Sequence, residues 1–115
     1  MKYYIPNMKR IISKQNALLS NIVDIIVSVA HPEKIILFGS RARNDASQFS
    51  DVDLLIVKKG AHRRKLAFEI YRNLIGVGCP VDLVVVTPED IEKYGNSPSL
   101  IIYPALKEGK VVYAL

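Results

Sequence analysis

Phe38-Gly39-Ser40-Arg41-Ala42-Arg43-Asn44-Asp45-Ala46-Ser47-Gln48-Phe49-Ser50-Asp51-Val52-Asp53-Leu54-Leu55-Ile56-Val57 is the stretch from which the rest of the chain can be read. It leaves one apolar run through a Gly-Ser pair and enters another through Asp-x-Asp. A Gly-Ser corner offers backbone N–H groups and a hydroxyl, donors that suit a phosphate. Asp51 and Asp53 are two apart on a predicted strand, so they point to the same face, and paired carboxylates suit a hard divalent cation.

Outward from this stretch the pattern alternates helix and strand. Residues 8–30 predict one amphipathic helix with Ile11, Leu18, Ile22, Ile25 and Val29 on its stripe. His31-Pro32 ends it, because a residue before proline is pushed out of the α region. Residues 34–38 are a β-branched apolar run that predicts a buried strand. Residues 41–50 are too polar for a core and predict a short helix and a loop. Residues 51–57 predict the second strand, and residues 61–77 a second long helix with Leu66, Ile70, Leu74 and Val77 inward. A third strand is predicted over 81–87, with Asp82 near its start. Pro88-Glu89-Asp90 opens a short helix, since proline fits a first turn. Residues 98–107 predict a further helix, with Leu100, Ile101 and Leu106 apolar, and 111–115 a last strand.

Connection lengths set the strand directions. The second and third strands are joined through a long helix, which favours a parallel pair with both starts at one edge. The first and second are joined by about a dozen residues without a long helix, which favours an antiparallel pair. Gly39-Ser40, Asp51, Asp53 and Asp82 then meet at one edge of the sheet. Two like charges about 4 Å apart repel by about 4 kcal/mol at an effective dielectric of 20. Three carboxylates there need protons or cations between them. Magnesium takes oxygen ligands and keeps substrate phosphates in its shell, and two such ions can hold the attacking and leaving oxygens of an in-line displacement.

Composition sets the bounds. The 115 residues suffice for a single domain, taken as 1–115. Half of them are hydrophobic, which argues against disorder. No apolar run approaches the roughly 20 residues that span a bilayer. The start, Met1-Lys2-Tyr3-Tyr4-Ile5-Pro6, lacks a signal-peptide pattern. The single cysteine, Cys79, excludes an internal disulfide and fits a reducing cytoplasm. A formal charge of +5 suits an acidic partner: nucleotide phosphates, nucleic acid or an acidic protein face. Lys58-Lys59 and His62-Arg63-Arg64-Lys65 form a basic cluster, readable as a solvated face or as a docking site for an acidic protein or RNA. Two isolated histidines make no zinc site. Arg41 and Arg43 can each face solvent or touch a phosphate.

Gly39-Ser40, ten residues, then Asp51-Val52-Asp53 resembles the signature of the DNA polymerase β-like nucleotidyltransferase superfamily. Leu37-Phe38-Gly39-Ser40-Arg41-Ala42-Arg43, the strand from Ser50 to Val57 and Val81-Asp82-Leu83-Val84 resemble its smallest branch, the minimal nucleotidyltransferases. The resemblance implies an α/β (α+β) fold, a small mixed sheet flanked by helices, with Mg²⁺-dependent nucleotidyl transfer from ATP. It implies that Gly39 and Ser40, with Arg41 and Arg43 beside them, meet the triphosphate, that Asp51 and Asp53 bind metal, two ions by analogy, and that Asp82 completes the metal site and helps activate the acceptor hydroxyl.

Members of this branch are commonly encoded with a HEPN-domain ribonuclease toxin, which they adenylylate on tyrosine and bind as an antitoxin. Asn44 departs from a glycine often found there, but asparagine tolerates positive φ. Larger relatives add an acceptor-binding domain, so here a partner, a second copy or the acceptor itself is expected to complete the pocket. The alternatives are an antitoxin that acts by binding alone, and an enzyme modifying a small hydroxylated molecule such as an aminoglycoside.

Overall fold

The computed structural model describes residues 14–43, 50–97, 100 and 102–115. In chain order these form α1 Lys14–Ala30, β1 Lys34–Phe38, β2 Val52–Val57, α2 Arg63–Asn73, β3 Val81–Val86, α3 Pro88–Tyr94, α4 Ile102–Glu108 and β4 Lys110–Ala114. The strands build one mixed sheet in the order β3-β2-β1-β4. β1 is antiparallel to β2 and to β4, and β2 is parallel to β3. Both directions inferred from connection length are borne out. β4 takes the place beside β1, with a register irregularity between Ile35 and Ile36.

β1 and β2 lie in the middle of the sheet with helices on both faces, which is why they read as almost unbroken apolar runs. On one face Ile22, Val23 and Ile26 of α1 and Ile70 of α2 pack on Ile35, Leu37, Leu54 and Ile56. On the other, Ile102 and Ala105 of α4 pack on Ile36, Phe38, Leu55 and Val57, with Ile91 of α3 against the same cluster. The expected small mixed sheet flanked by helices is the architecture found.

Several boundaries differ from expectation. α2 stops at Asn73 rather than 77, because the Leu74 N–H is shared between the carbonyls of Ile70 (3.1 Å) and Tyr71 (3.0 Å), which tightens the last turn. It starts at Arg63 because His62 caps it, its ring nitrogen accepting from the Lys65 N–H at 3.2 Å. α4 buries Ile102 and Ala105, whereas Leu100 is exposed. Residues 41–43 form a turn, and the rest of the predicted 41–50 helix and loop, Asn44 included, lies outside the described residues up to Ser50. Ile11 and Ile101 also lie outside them. α3 begins at Pro88 as predicted, fastened by a capping box in which Thr87 and Asp90 each accept the other's backbone N–H. None of the described helices is long and apolar enough to cross a membrane.

Candidate active site

The strand directions bring the end of β1 and the starts of β2 and β3 to one edge. Phe38 lies opposite Asp53, and Asp53 lies in register with Asp82. The Val52 N–H donates to the Pro80 carbonyl at 3.0 Å, tying the two parallel strands together where they begin. Strand alternation then decides the face. Val52, Leu54 and Ile56 join the core under α1 and α2, so Asp53 projects to the opposite side, as does its register partner Asp82. Asp51, one residue before β2, follows the same alternation on the exposed lead-in.

Gly39 holds the other side of this edge. Its φ is +74°, a left-handed conformation that side chains disfavour. A Cβ placed there would collide with Oδ2 of Asp53 and lie 3.2 Å from its Cγ. The carboxylate therefore occupies the space a side chain would need, which is a site-specific reason for glycine at this corner. Ser40 follows, half-buried. The turn directs the N–H groups of Ala42 (3.1 Å) and Arg43 (3.2 Å) back to the Gly39 carbonyl. These two N–H groups are therefore committed to the turn.

The carboxylates interact as repulsion demands. Burial, above all, pushes the Asp53 carboxyl above its ordinary range; the charges of Asp82 and Asp51 and a hydrogen bond with Asp82 push it further, while Arg43 opposes. Two carboxyls can hydrogen-bond only by holding a proton between them. Among the described residues no group of three His, Cys, Asp or Glu is gathered in metal-binding geometry as it stands. Asp53 and Asp82 are register partners on neighbouring strands, and both Asp82 and Asp51 act on Asp53 through their charge. The donor set nevertheless fits a hard divalent cation: oxygen ligands only, with a crowded pair that needs positive charge between its members.

The arginines have partners that sequence alone did not indicate. Arg41 grips the Ser50 carbonyl with two donors, Nε at 3.2 Å and Nη2 at 2.7 Å, and so fixes the lead-in to Asp51. Arg43 is exposed and pairs with Glu108 at 3.5 Å. Burial raises the Cys79 thiol pKa, Arg41 opposes this, and Asp51 adds to it. This keeps the thiol protonated and fits a packing role.

Comparison with known proteins bears on the family and the fold. The family described as polymerase beta, nucleotidyltransferase matches residues 20–115. A protein of Methanocaldococcus jannaschii named as a candidate protein adenylyltransferase is 32% identical over 85 residues, covering 69% of this chain and 56% of its own length. The chain thus spans about half the length of that curated relative. A crystal structure of a candidate nucleotidyltransferase from Sulfolobus solfataricus superposes with a TM-score of 0.59 at 24% identity, covering 85% of this chain and 78% of the other. That likeness concerns the fold.

Proposed function

The chain belongs to the polymerase beta nucleotidyltransferase family, and we propose that it transfers AMP from ATP, with Mg²⁺, to a tyrosine hydroxyl of a partner HEPN-domain ribonuclease toxin. In this reading it is the antitoxin of a type VII-like pair in the cytoplasm. The observation that carries the transfer chemistry is the in-register Asp53–Asp82 pair facing the Gly39-Ser40 corner across one sheet edge. A protein acceptor is supported by the name of the Methanocaldococcus relative.

The residues divide the work. Ser40 and the adjoining backbone orient the triphosphate. Asp51, Asp53 and Asp82 would hold the divalent cations, which supply charge neutralisation between carboxylates and triphosphate when bound. Arg41 keeps Asp51 in place through the Ser50 carbonyl. The acceptor oxygen forms a bond to the α-phosphorus as the bond from that phosphorus to the α–β bridging oxygen breaks. Pyrophosphate leaves, and the hydroxyl proton passes to the exposed Asp82 carboxylate.

The test is incubation with α-labelled ATP, Mg²⁺ and the product of the adjacent gene. Label on a tyrosine of that protein, abolished by Asp53→Asn, is the expected result. Full neutralisation of the partner by an Asp51→Ala/Asp53→Ala variant, with no label ever transferred, overturns the enzymatic reading in favour of binding alone. Label found only on an aminoglycoside makes the acceptor a small molecule.

A further inference from the structure

α2 has two apolar sides, and the fold covers one of them. Ile70 and Leu74 are buried in the core. Phe68, Tyr71 and Ile75 are 65%, 39% and 82% exposed. Their spacing puts them on one stripe along the helix and into the turn beyond it. Large apolar side chains are stabilised by leaving water, so a contiguous exposed stripe of three is a feature that calls for a reason.

The stripe runs toward the site. α2 connects two parallel strands, so it runs opposite to them, and its C-terminal end lies at the edge where β2 and β3 start. Tyr71 makes the link explicit. Its hydroxyl accepts the Leu83 N–H at 2.8 Å on the outer side of β3, one residue from Asp82. A molecule lying along Phe68, Tyr71 and Ile75 therefore reaches the carboxylate edge from the unpaired side of the sheet.

The rim of the stripe is basic. Arg64 is exposed one turn before Phe68, and the Arg72 guanidinium stands 6.0 Å from the Phe68 ring centroid. An isologous pairing of two copies would set Arg64 and Arg72 against their own duplicates on chains that each carry +5. RNA would match the arginines but leave Ile75 without a partner. We infer that the exposed stripe Phe68–Tyr71–Ile75, with Arg64 and Arg72 at its rim, docks a protein with an apolar centre and an acidic border and so delivers its hydroxyl to the Asp53–Asp82 edge. This inference rests on the proposed protein acceptor and adds where that acceptor is held.

The experiment measures affinity for the product of the adjacent gene by titration calorimetry, and label transfer to it from ATP, in the full chain and in Phe68→Glu, Ile75→Glu and the double variant. All three place the new charge at exposed positions. Expected are a loss of affinity of at least tenfold for each single variant and a rise in KM for the protein acceptor. Binding of a fluorescent ATP analogue with Mg²⁺ stays unchanged, and wild-type affinity falls with added salt. Label transfer and affinity equal to wild type in the double variant overturn the docking surface and leave the proposed function standing. Affinity lost in the double variant, with no label in any sample, keeps the surface and overturns the transfer. No binding by the wild type overturns both. A wild-type dimer in sedimentation that Phe68→Glu dissolves assigns the stripe to a second copy and overturns the inference.

Discussion

Gly39→Ala separates a backbone requirement from a catalytic one. At φ +74° any L side chain is strained, and leaving glycine there costs about 1 kcal/mol. A second cost is particular to this position. The new Cβ would fall on the Asp53 carboxylate, inside the 3.0 Å that real Cβ atoms essentially never breach. Restoring ordinary contact near 3.5 Å requires the carboxylate to retreat by on the order of 1 Å. A half-exposed side chain can do so at little cost in stability. Catalysis is less forgiving, because a misplacement of about 1 Å can lower a rate about 100-fold.

Gly60 supplies the control. Its φ is +71°, and a Cβ there would meet nothing within 4 Å. Gly60→Ala incurs the backbone cost alone. Both variants should lose about 1 kcal/mol, or roughly 4–5 °C in calorimetric Tm for a domain of this size. Only Gly39→Ala should lose about 100-fold in label transfer from ATP, with a higher Mg²⁺ requirement. Equal activity in the two alanine variants refutes the reasoning, because the Asp53 carboxylate would then not depend on the space at position 39.

The other predictions concern charge and anchoring. Asp53→Asn removes one side of the Asp53–Asp82 repulsion, worth about 1 kcal/mol in water-like surroundings, so its Tm in EDTA should rise by a few degrees while the stabilisation by Mg²⁺ shrinks. The sign with pH follows from the raised Asp53 pKa: the folded apo protein is favoured in acid and loses that advantage as pH rises through the folded value. The gain from Asp53→Asn should therefore be present at pH 7 and vanish below the ordinary value of 3.8; a fall in Tm at pH 7 makes the carboxylate structural. Arg41→Ala releases the Ser50 carbonyl and should raise the Mg²⁺ needed for half-maximal rate by about 10-fold or more. An effect confined to KM for ATP instead gives Arg41 to the phosphates. Thr87→Ala should cost about 1 kcal/mol in urea titrations at pH 7. The Asp90 carboxyl is held below its ordinary range, first by the Thr87 N–H, so the stability it contributes is present above 3.8 and lost as pH falls through the lower folded value; alanine at 87 keeps that N–H, so it is the deficit of Asp90→Ala that should shrink in acid.

What the sequence revealed, it revealed through constraints that act locally. The long connection between Val57 and Val81 leaves room for a helix, and a helix forces the parallel pair that aligns Asp53 with Asp82. The short passage from Phe38 to Val52 holds no long helix to carry a crossover, which favours the antiparallel pairing found and returns Gly39 to the same edge. What stayed hidden depends on long side chains reaching across the fold. Arg41 spans nine residues to bond Ser50, and Tyr71 spans twelve to bond Leu83; neither leaves a periodic trace. The ends of α2 and α4 were misjudged for a related reason. Leu66, Leu74, Val77 and Leu100 all suit a helix stripe, and which of them continues it is set by capping and by what the sheet buries. The space between Gly39 and Asp53 was invisible for the same reason, although glycine at the strand end was its signal.

Under the proposed function, the charge layout gives the carboxylate edge a use for a local cation in a chain that is already basic. Lys58 and Lys59 leave the far end of β2, and Arg63, Arg64 and Lys65 open α2 beside them. Asp53 is near the other end of the same strand. At about 3.3 Å per residue the two ends are roughly 15–20 Å apart. That is about two Debye lengths at physiological salt, so exposed lysines there are largely screened from the acids. Arg43 is close enough to lower the Asp53 pKa, but it divides its charge with Glu108. Arg41 spends its donors on a carbonyl. Burial and the neighbouring acids therefore leave Asp53 with a raised pKa that the described cations do not offset. In the proposed reading a triphosphate would bring more negative charge to the same edge, where a divalent ion would offset two charges while also offering coordination sites to phosphate oxygens.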